Sequence, residues 1–254
     1  MFGLDPWQFW AAMAVTLFSG FVKGAVGFAM PMIMMSVLGS IMPASVALAG
    51  LILPTLVTNL GQAFRQGRAA AWESTRRYRW HIGMVMLFIP LSAPLAPILP
   101  QAVMYLMLGL PITAYALWQL SGRPLALPLH HRRRAEVASG IIGGLYGGVS
   151  GIWGPPLIVY LLSIGAPKQE QIRVQGVVFL LGAAVLTVAH LFTGILDADG
   201  IAFSAALVLP AVIGMWAGFA LQDRLDLVQF RRWTQVLLVL TGLNLVRRAL
   251  QLWM

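Results

Sequence analysis

Apolar residues run in long blocks along this chain, separated by short polar clusters and by knots of glycine and proline. The blocks predict helices over about 7–22, 25–38, 43–63, 80–98, 101–120, 137–150, 155–164, 171–195, 200–221 and 230–250. A helix needs about 20 residues to cross the hydrocarbon of a bilayer, and most blocks approach or reach that length. The alternating ten-residue segments of a membrane barrel are absent. The pattern therefore predicts an all-α polytopic membrane protein. Four blocks fall short of a comfortable crossing: 7–22, 25–38, 137–150 and 155–164. They come as two pairs, each interrupted by glycines and prolines.

Sliding the chain by 124 positions lays one pair on the other. Gly20, Gly24, Gly27, Pro31 and Pro43 fall on Gly144, Gly148, Gly151, Pro155 and Pro167, while Lys23 falls on Gly147. One shared register at the start of each half points to an internal repeat, with residues 1–122 and 137–254 joined by a basic cytoplasmic linker, 123–136. Charge then sets the orientation. Of the 17 Lys and Arg residues, 14 fall in four loops: Arg65 to Arg79, Arg123 to Arg134, Lys168 with Arg173, and Arg224 to Arg232. The threading puts these loops on one side, which the positive-inside rule makes the cytoplasm. Both termini, with Asp5, Asp197 and Asp199, are expected on the periplasmic or extracellular side of a bacterial inner membrane. Each repeat then holds a broken or re-entrant helical pair followed by three transmembrane helices. Three is odd, so the two repeats are expected to be inverted. Discontinuous helices at matching places in inverted repeats point to the binding site of a secondary transporter.

Composition agrees and closes off other classes. The chain is 59% hydrophobic and 10% charged, with mean hydropathy +0.81, whereas soluble domains are about 25% charged. The net charge of +9 does not signal nucleic acid, because the cations lie in short loops without the aromatic interleaving of a stacking platform. With no cysteine, disulfides, thiolate-held clusters and thiol catalysis are excluded. His81, His130, His131 and His190 form no ligand spacing, so no metal and no cofactor is expected. The opening "MFGLDPWQFW" lacks a basic n-region, and Asp5 argues against a cleaved signal peptide. Trp7 and Trp10 are expected to anchor a retained segment at the interface.

The chemistry concentrates at the two breaks. An interrupted helix at membrane depth frees backbone groups that lipid cannot satisfy, so it must face protein or a watery cavity. The half-helix beyond each break aims its positive N-terminal end at the gap, which suits an anion. Lys23 adds a full charge there, and an ionisable residue inside a membrane marks a functional site by default; snorkelling to an interface is the competing role. The expected substrate-binding residues are Lys23, Gly24 and Gly27 in the first copy, with Gly148 and Gly151 in the second. Tyr146, Ser150 and Trp153 offer further donors, with plain packing as the alternative for Tyr146 and Trp153. Arg173 either lines a cytoplasmic entrance or meets lipid headgroups. Asn59, Gln62, Gln175, Thr187, His190 and Asn244 are polar residues scattered through later helices.

All eight carboxylates fall near loops or helix ends, which leaves Lys23 and His190 as the titrating groups well inside helices. A membrane enzyme would need paired acids, a metal cluster or an activated nucleophile, and none is present, so catalysis is not expected. The partners implied are a small anion and the lipid bilayer, with a homo-oligomer left open. A transporter of another small organic anion such as a carboxylate, and a non-transporting assembly protein, are the alternative readings.

The segments "GFVKGAVGFAMP" and "GGLYGGVSGIWGPP", with "PKQEQIRVQGVVFL" at 167–180, resemble the TauE/SafE family of anion exporters, in the wider toluene-sulfonate uptake permease group. The resemblance covers nearly the whole chain. Members commonly carry a tighter Gly-Gly-Gly run at the breaks, where this chain has Phe28 and Ala29, and Ile152 and Trp153. The resemblance implies transport of sulfite, sulfoacetate, other organosulfonates or related sulfur-containing anions across a bacterial inner membrane, and export by alternating access around the two broken helices is the expected function.

Overall fold

The structure, a computed structural model, describes residues 4–123, 131–221 and 227–252. It is all-helical, with no strand among the described residues. The first half contains α1 (Pro6–Val26), α2 (Met30–Leu38), α3 (Ala44–Ala63), α4 (Arg68–Arg77), α5 (Arg79–Ser92) and α6 (Gln101–Leu120). The second contains α7 (Arg132–Ser150), α8 (Gly154–Ser163), α9 (Lys168–Thr193), α10 (Ala198–Leu221) and α11 (Leu227–Gln251). Five of them, α1, α3, α6, α9 and α10, are long and apolar enough to span a membrane. The chain is a multi-pass membrane protein.

Several predicted boundaries move, each for a physical reason. The sequence places the first break at 23–24, but α1 runs on to Val26 and the gap falls at 27–29. Gly20 and Gly24 do not weaken α1 because they sit under another helix: a Cβ at either would lie 2.4 or 2.2 Å from a carbonyl oxygen of α10. With 21 residues α1 is no longer a short element, and α7 begins at Arg132, five residues before the predicted 137. The arginine-rich stretch expected to be loop forms α4, an amphipathic helix outside the apolar blocks. The single helix expected over 80–98 stops at Ser92, followed by a 3-10 turn at Ala93–Leu95, because Pro94, Pro97 and Pro100 remove successive N–H donors. Residues 124–130 of the linker, including His130, and Arg224 lie outside the described residues.

Each short pair returns to the end of the molecule at which it began. Gln8, in the first turn of α1, donates from Nε2 to the Ile41 carbonyl beyond α2 (2.8 Å). Tyr160, near the end of α8, donates to Glu136 Oε2 in the second turn of α7 (3.4 Å). The α1–α2 pair thus opens and closes beside the start of α3, and the α7–α8 pair opens and closes beside the arginine-rich end. Around them α1 packs on α10, α7 on α5 and α6 on α11, while α3 and α9 pack on each other between the breaks. Exchanging the halves in the 124-residue register carries the α1–α10 pair onto α7–α5 and leaves α3–α9 and α6–α11 unchanged.

Candidate functional site

Both breaks are built alike. Gly27 (φ +88°) and Gly151 (φ +70°) end α1 and α7 in the left-handed conformation, which glycine adopts without a Cβ penalty. Their N–H groups donate to the carbonyls of Lys23 and Gly147, each at 2.8 Å. The chain then bends through Phe28–Ala29 and Ile152–Trp153. α2 and α8 start three residues after these glycines, at Met30 and Gly154, with Pro31 and Pro155 in their first turns. Ala29 holds φ +80°, the one non-glycine positive φ among the described residues, at a cost of about 1–2 kcal/mol. Such strain clusters where a backbone is held for function.

The bends enclose a cavity of about 30 Å³, room for roughly two waters. Phe28, Ala29 and Pro31 face Ile152, Trp153 and Pro155 across it, so the N-terminal ends of α2 and α8 both border it. Thr55 and Asn59 of α3, Phe179 of α9 and Lys23 are among the other residues of its walls. Among the described residues no carboxylate lines it.

Lys23 is 2% exposed, the only Lys or Arg buried among the described residues. Its Nζ donates to Thr58 Oγ1 (2.9 Å) and to Asn59 Oδ1. Thr58 is fixed in turn by donating to the Pro54 carbonyl one turn earlier (2.7 Å). Among the described residues the ammonium therefore has neutral partners and no countercharge. Beside it, Asn59 Nδ2, Thr55 Oγ1 and Trp153 Nε1 are buried with no hydrogen-bond partner among the described residues. A buried polar group left unpaired costs about 1–3 kcal/mol. Asn59 Nδ2 and Thr55 Oγ1, on residues lining one small cavity, together with a buried cation, suit an oxyanion with several acceptor oxygens, while Trp153 Nε1 lies against Gly182 of α9.

Not all the residues expected from the sequence meet here. Lys23, Gly151 and Trp153 line the cavity. Gly27 forms the first break, and its carbonyl accepts from Gln62 Nε2 (2.9 Å). Ser150 braces the second break, donating to the Tyr146 carbonyl (2.7 Å) and accepting from the Ile152 N–H (3.1 Å). Tyr146 does not line the cavity. Gly24 and Gly148 face other helices: their Cβ positions lie against Met215 of α10 and against Ser92 and Ile89 of α5. His190 donates from Nε2 to the Gly148 carbonyl (2.9 Å). Arg173 is remote, at the arginine-rich end. The sequence reading passed over Thr55 and Thr58 and left Asn59 among scattered polar residues. The available signal was the spacing of Thr55 and Asn59, four apart and so on one face of α3.

Arg173 belongs to a polar network between the halves. It donates to Ser74 Oγ (Nε, 2.8 Å) and Gln66 Oε1 (Nη1, 3.3 Å). Glu170 Oε1 pairs with Arg77 Nη1 (3.0 Å) and accepts from the Tyr78 phenol (2.6 Å). Burial, and then the hydrogen bond to Glu170, push the Tyr78 pKa above its ordinary value, so it stays a donor. At the other end of α3 and α9 the molecule is open. A vestibule of about 570 Å³ lies there, lined among others by Ser45, Gln101, Asp197 and Asp199 and, among the described residues, by no Lys or Arg.

These features define a multi-pass helical membrane protein that holds an uncompensated cation at a cavity between two helix breaks. The chain belongs to the sulfite exporter TauE/SafE family, whose model matches residues 12–245, and so to a family of membrane anion exporters. No curated protein and no solved structure matches the chain.

Proposed function

We propose that the protein is a secondary transporter that exports small sulfur-containing anions, such as sulfite, sulfoacetate or other organosulfonates, and binds them at the cavity beside Lys23. The observation that carries this is a buried ammonium whose partners among the described residues are Thr58 and Asn59, at a cavity bordered by two helix N-termini. Burying a charge without a partner is expensive, and an anionic substrate supplies the missing charge. Alternating access is supported by the contrast between the ends. Cross-half polar contacts join the halves at the arginine-rich end, and the vestibule between α3 and α9 lies at the other. Two inverted repeats, 1–122 and 137–254, account for the opposite ends at which the two short pairs begin and return. The arginine-rich end is then cytoplasmic, and both termini are outside.

The test is flux in liposomes holding purified protein, with sulfite, sulfoacetate and acetate as separate substrates. Lys23→Met keeps the apolar stem and removes the charge. A hydrogen bond to a charged group contributes about 1.5–3 kcal/mol, so sulfite flux is expected to fall by roughly ten- to a hundredfold. Equal flux in both proteins removes Lys23 from the site. Flux of acetate alone makes the substrate a carboxylate, and no flux of any anion overturns the transport reading.

A further inference from the structure

The two halves treat the same positions in opposite ways. In the 124-residue register, Lys23, Thr58 and Asn59 correspond to Gly147, Gly182 and Ala183, and Ala29 and Thr55 correspond to Trp153 and Phe179. The first half thus has three polar side chains facing a small residue at the bend. The second has three minimal residues facing the largest side chain there is. The space does not stay open in the second half. A Cβ at Gly147 would lie 3.1 Å from the Trp153 ring, and one at Gly182 would lie 2.8 Å from it and 2.9 Å from its Nε1. Phe179 meets the indole edge-to-face, with ring centroids 6.2 Å apart and planes at 86°. Trp153 is 2% exposed and also lines the cavity beside Lys23.

We propose that Trp153 is the residue that limits substrate size. Its indole fills the hollow that Gly147, Gly182 and Ala183 leave in the second half, so the chain keeps one binding site and that site admits a compact oxyanion. This rests on the reading of the Lys23 cavity as the anion site. About 30 Å³, roughly two waters' worth of space, suits the few oxygens of an inorganic anion such as sulfite better than an oxyanion with an organic tail, so sulfite is the favoured member of the class proposed above. Removing the indole would join the space beside Gly147, Gly182 and Phe179 to the cavity. The head group keeps its cation while the tail gains space.

The experiment compares sulfite with sulfoacetate, by flux in liposomes and by thermal stabilisation of the purified protein, for the native chain, Trp153→Ala and Trp153→Met. Methionine keeps apolar contact with Phe179 in a smaller volume, which covers the case in which the alanine variant does not fold. The sulfoacetate-to-sulfite ratio is expected to rise at least about tenfold in Trp153→Ala and in the same direction in Trp153→Met. A ratio within about twofold of native in both variants, with sulfite still moved and bound, overturns the role of Trp153 and leaves the anion site standing. If the native protein neither moves nor binds either anion, the anion site falls, and this proposal with it. A purely structural tryptophan would lower stability and leave the ratio where it was.

Discussion

Asn59 presents its two faces to different neighbours: Oδ1 accepts from the Lys23 ammonium, and Nδ2 is left without a partner on the wall of the cavity. The amide thus orients the cation without neutralising it and offers a donor of its own. Asn59→Asp has nearly the same shape but replaces that donor with a carboxylate oxygen and gives Lys23 an ion pair. A neutralised site that presents acceptors should repel an oxyanion. Asn59→Asp is therefore expected to keep the melting temperature at or above native while losing sulfite-dependent stabilisation and at least about tenfold in flux, since charge-assisted contacts are roughly twice as strong as neutral ones. Thermal melting with and without sulfite checks both halves of this statement, and unchanged stabilisation by sulfite would exclude Asn59 from the site. At this scale the sequence shows Lys23 plainly, because a lone cation in an apolar block stands out. It does not show Asn59, Thr55 or Thr58. They become a set only when α3 packs beside the end of α1, and Lys23 and Asn59 are 36 positions apart.

The elements around the site are held by close backbone contact. Gly20 of α1 lies against Ala211 and Gly24 against Met215 and Gly218, while Gly214 of α10 lies against Leu17 and Phe21, so each helix carries a small residue every fourth position along one seam, as in membrane helix pairs that approach closely. A Cβ on Gly24 would sit 2.2 Å from the Met215 carbonyl oxygen, where neither backbone can yield. Overpacking of this kind costs about 1–3 kcal/mol, so Gly24→Ala is expected to lower the melting temperature in detergent clearly. Gly83→Ala on α5 is the control. Nothing lies within 4 Å of its Cβ position, so it should be neutral or stabilise by up to about 1 kcal/mol through helix propensity. If both variants melt alike, the α1–α10 seam is not what the glycines serve. This dual use of glycine is why the first break was misplaced from sequence. Within one knot, Gly20 and Gly24 permit packing while Gly27 alone turns the chain, and only the neighbouring helix distinguishes them. The long blocks, by contrast, were legible because hydropathy over 20 residues is set by the bilayer and not by any partner.

For the whole molecule, the decisive property is which end faces which compartment. The α4 segment and the network around Glu170 tie the first half to the second at the arginine-rich end, whereas Asp197 and Asp199 stand at the open vestibule. The positive-inside rule turns that asymmetry into an orientation. Because the chain has no cysteine, a single introduced thiol reports its own side without background. Ala198, exposed at the start of α10, and Glu73, exposed on α4, lie at opposite ends. In spheroplasts treated with a membrane-impermeant maleimide, Ala198→Cys is expected to label directly and Glu73→Cys only after permeabilisation. The reverse pattern would invert the topology and make the vestibule cytoplasmic, and labelling of both without permeabilisation would break the assignment of the arginine-rich end. With the expected pattern, the open vestibule faces the side to which an exporter delivers. The cross-half contacts of Glu170 and Arg173 then lie on the cytoplasmic side, where the cycle proposed above would take up the anion.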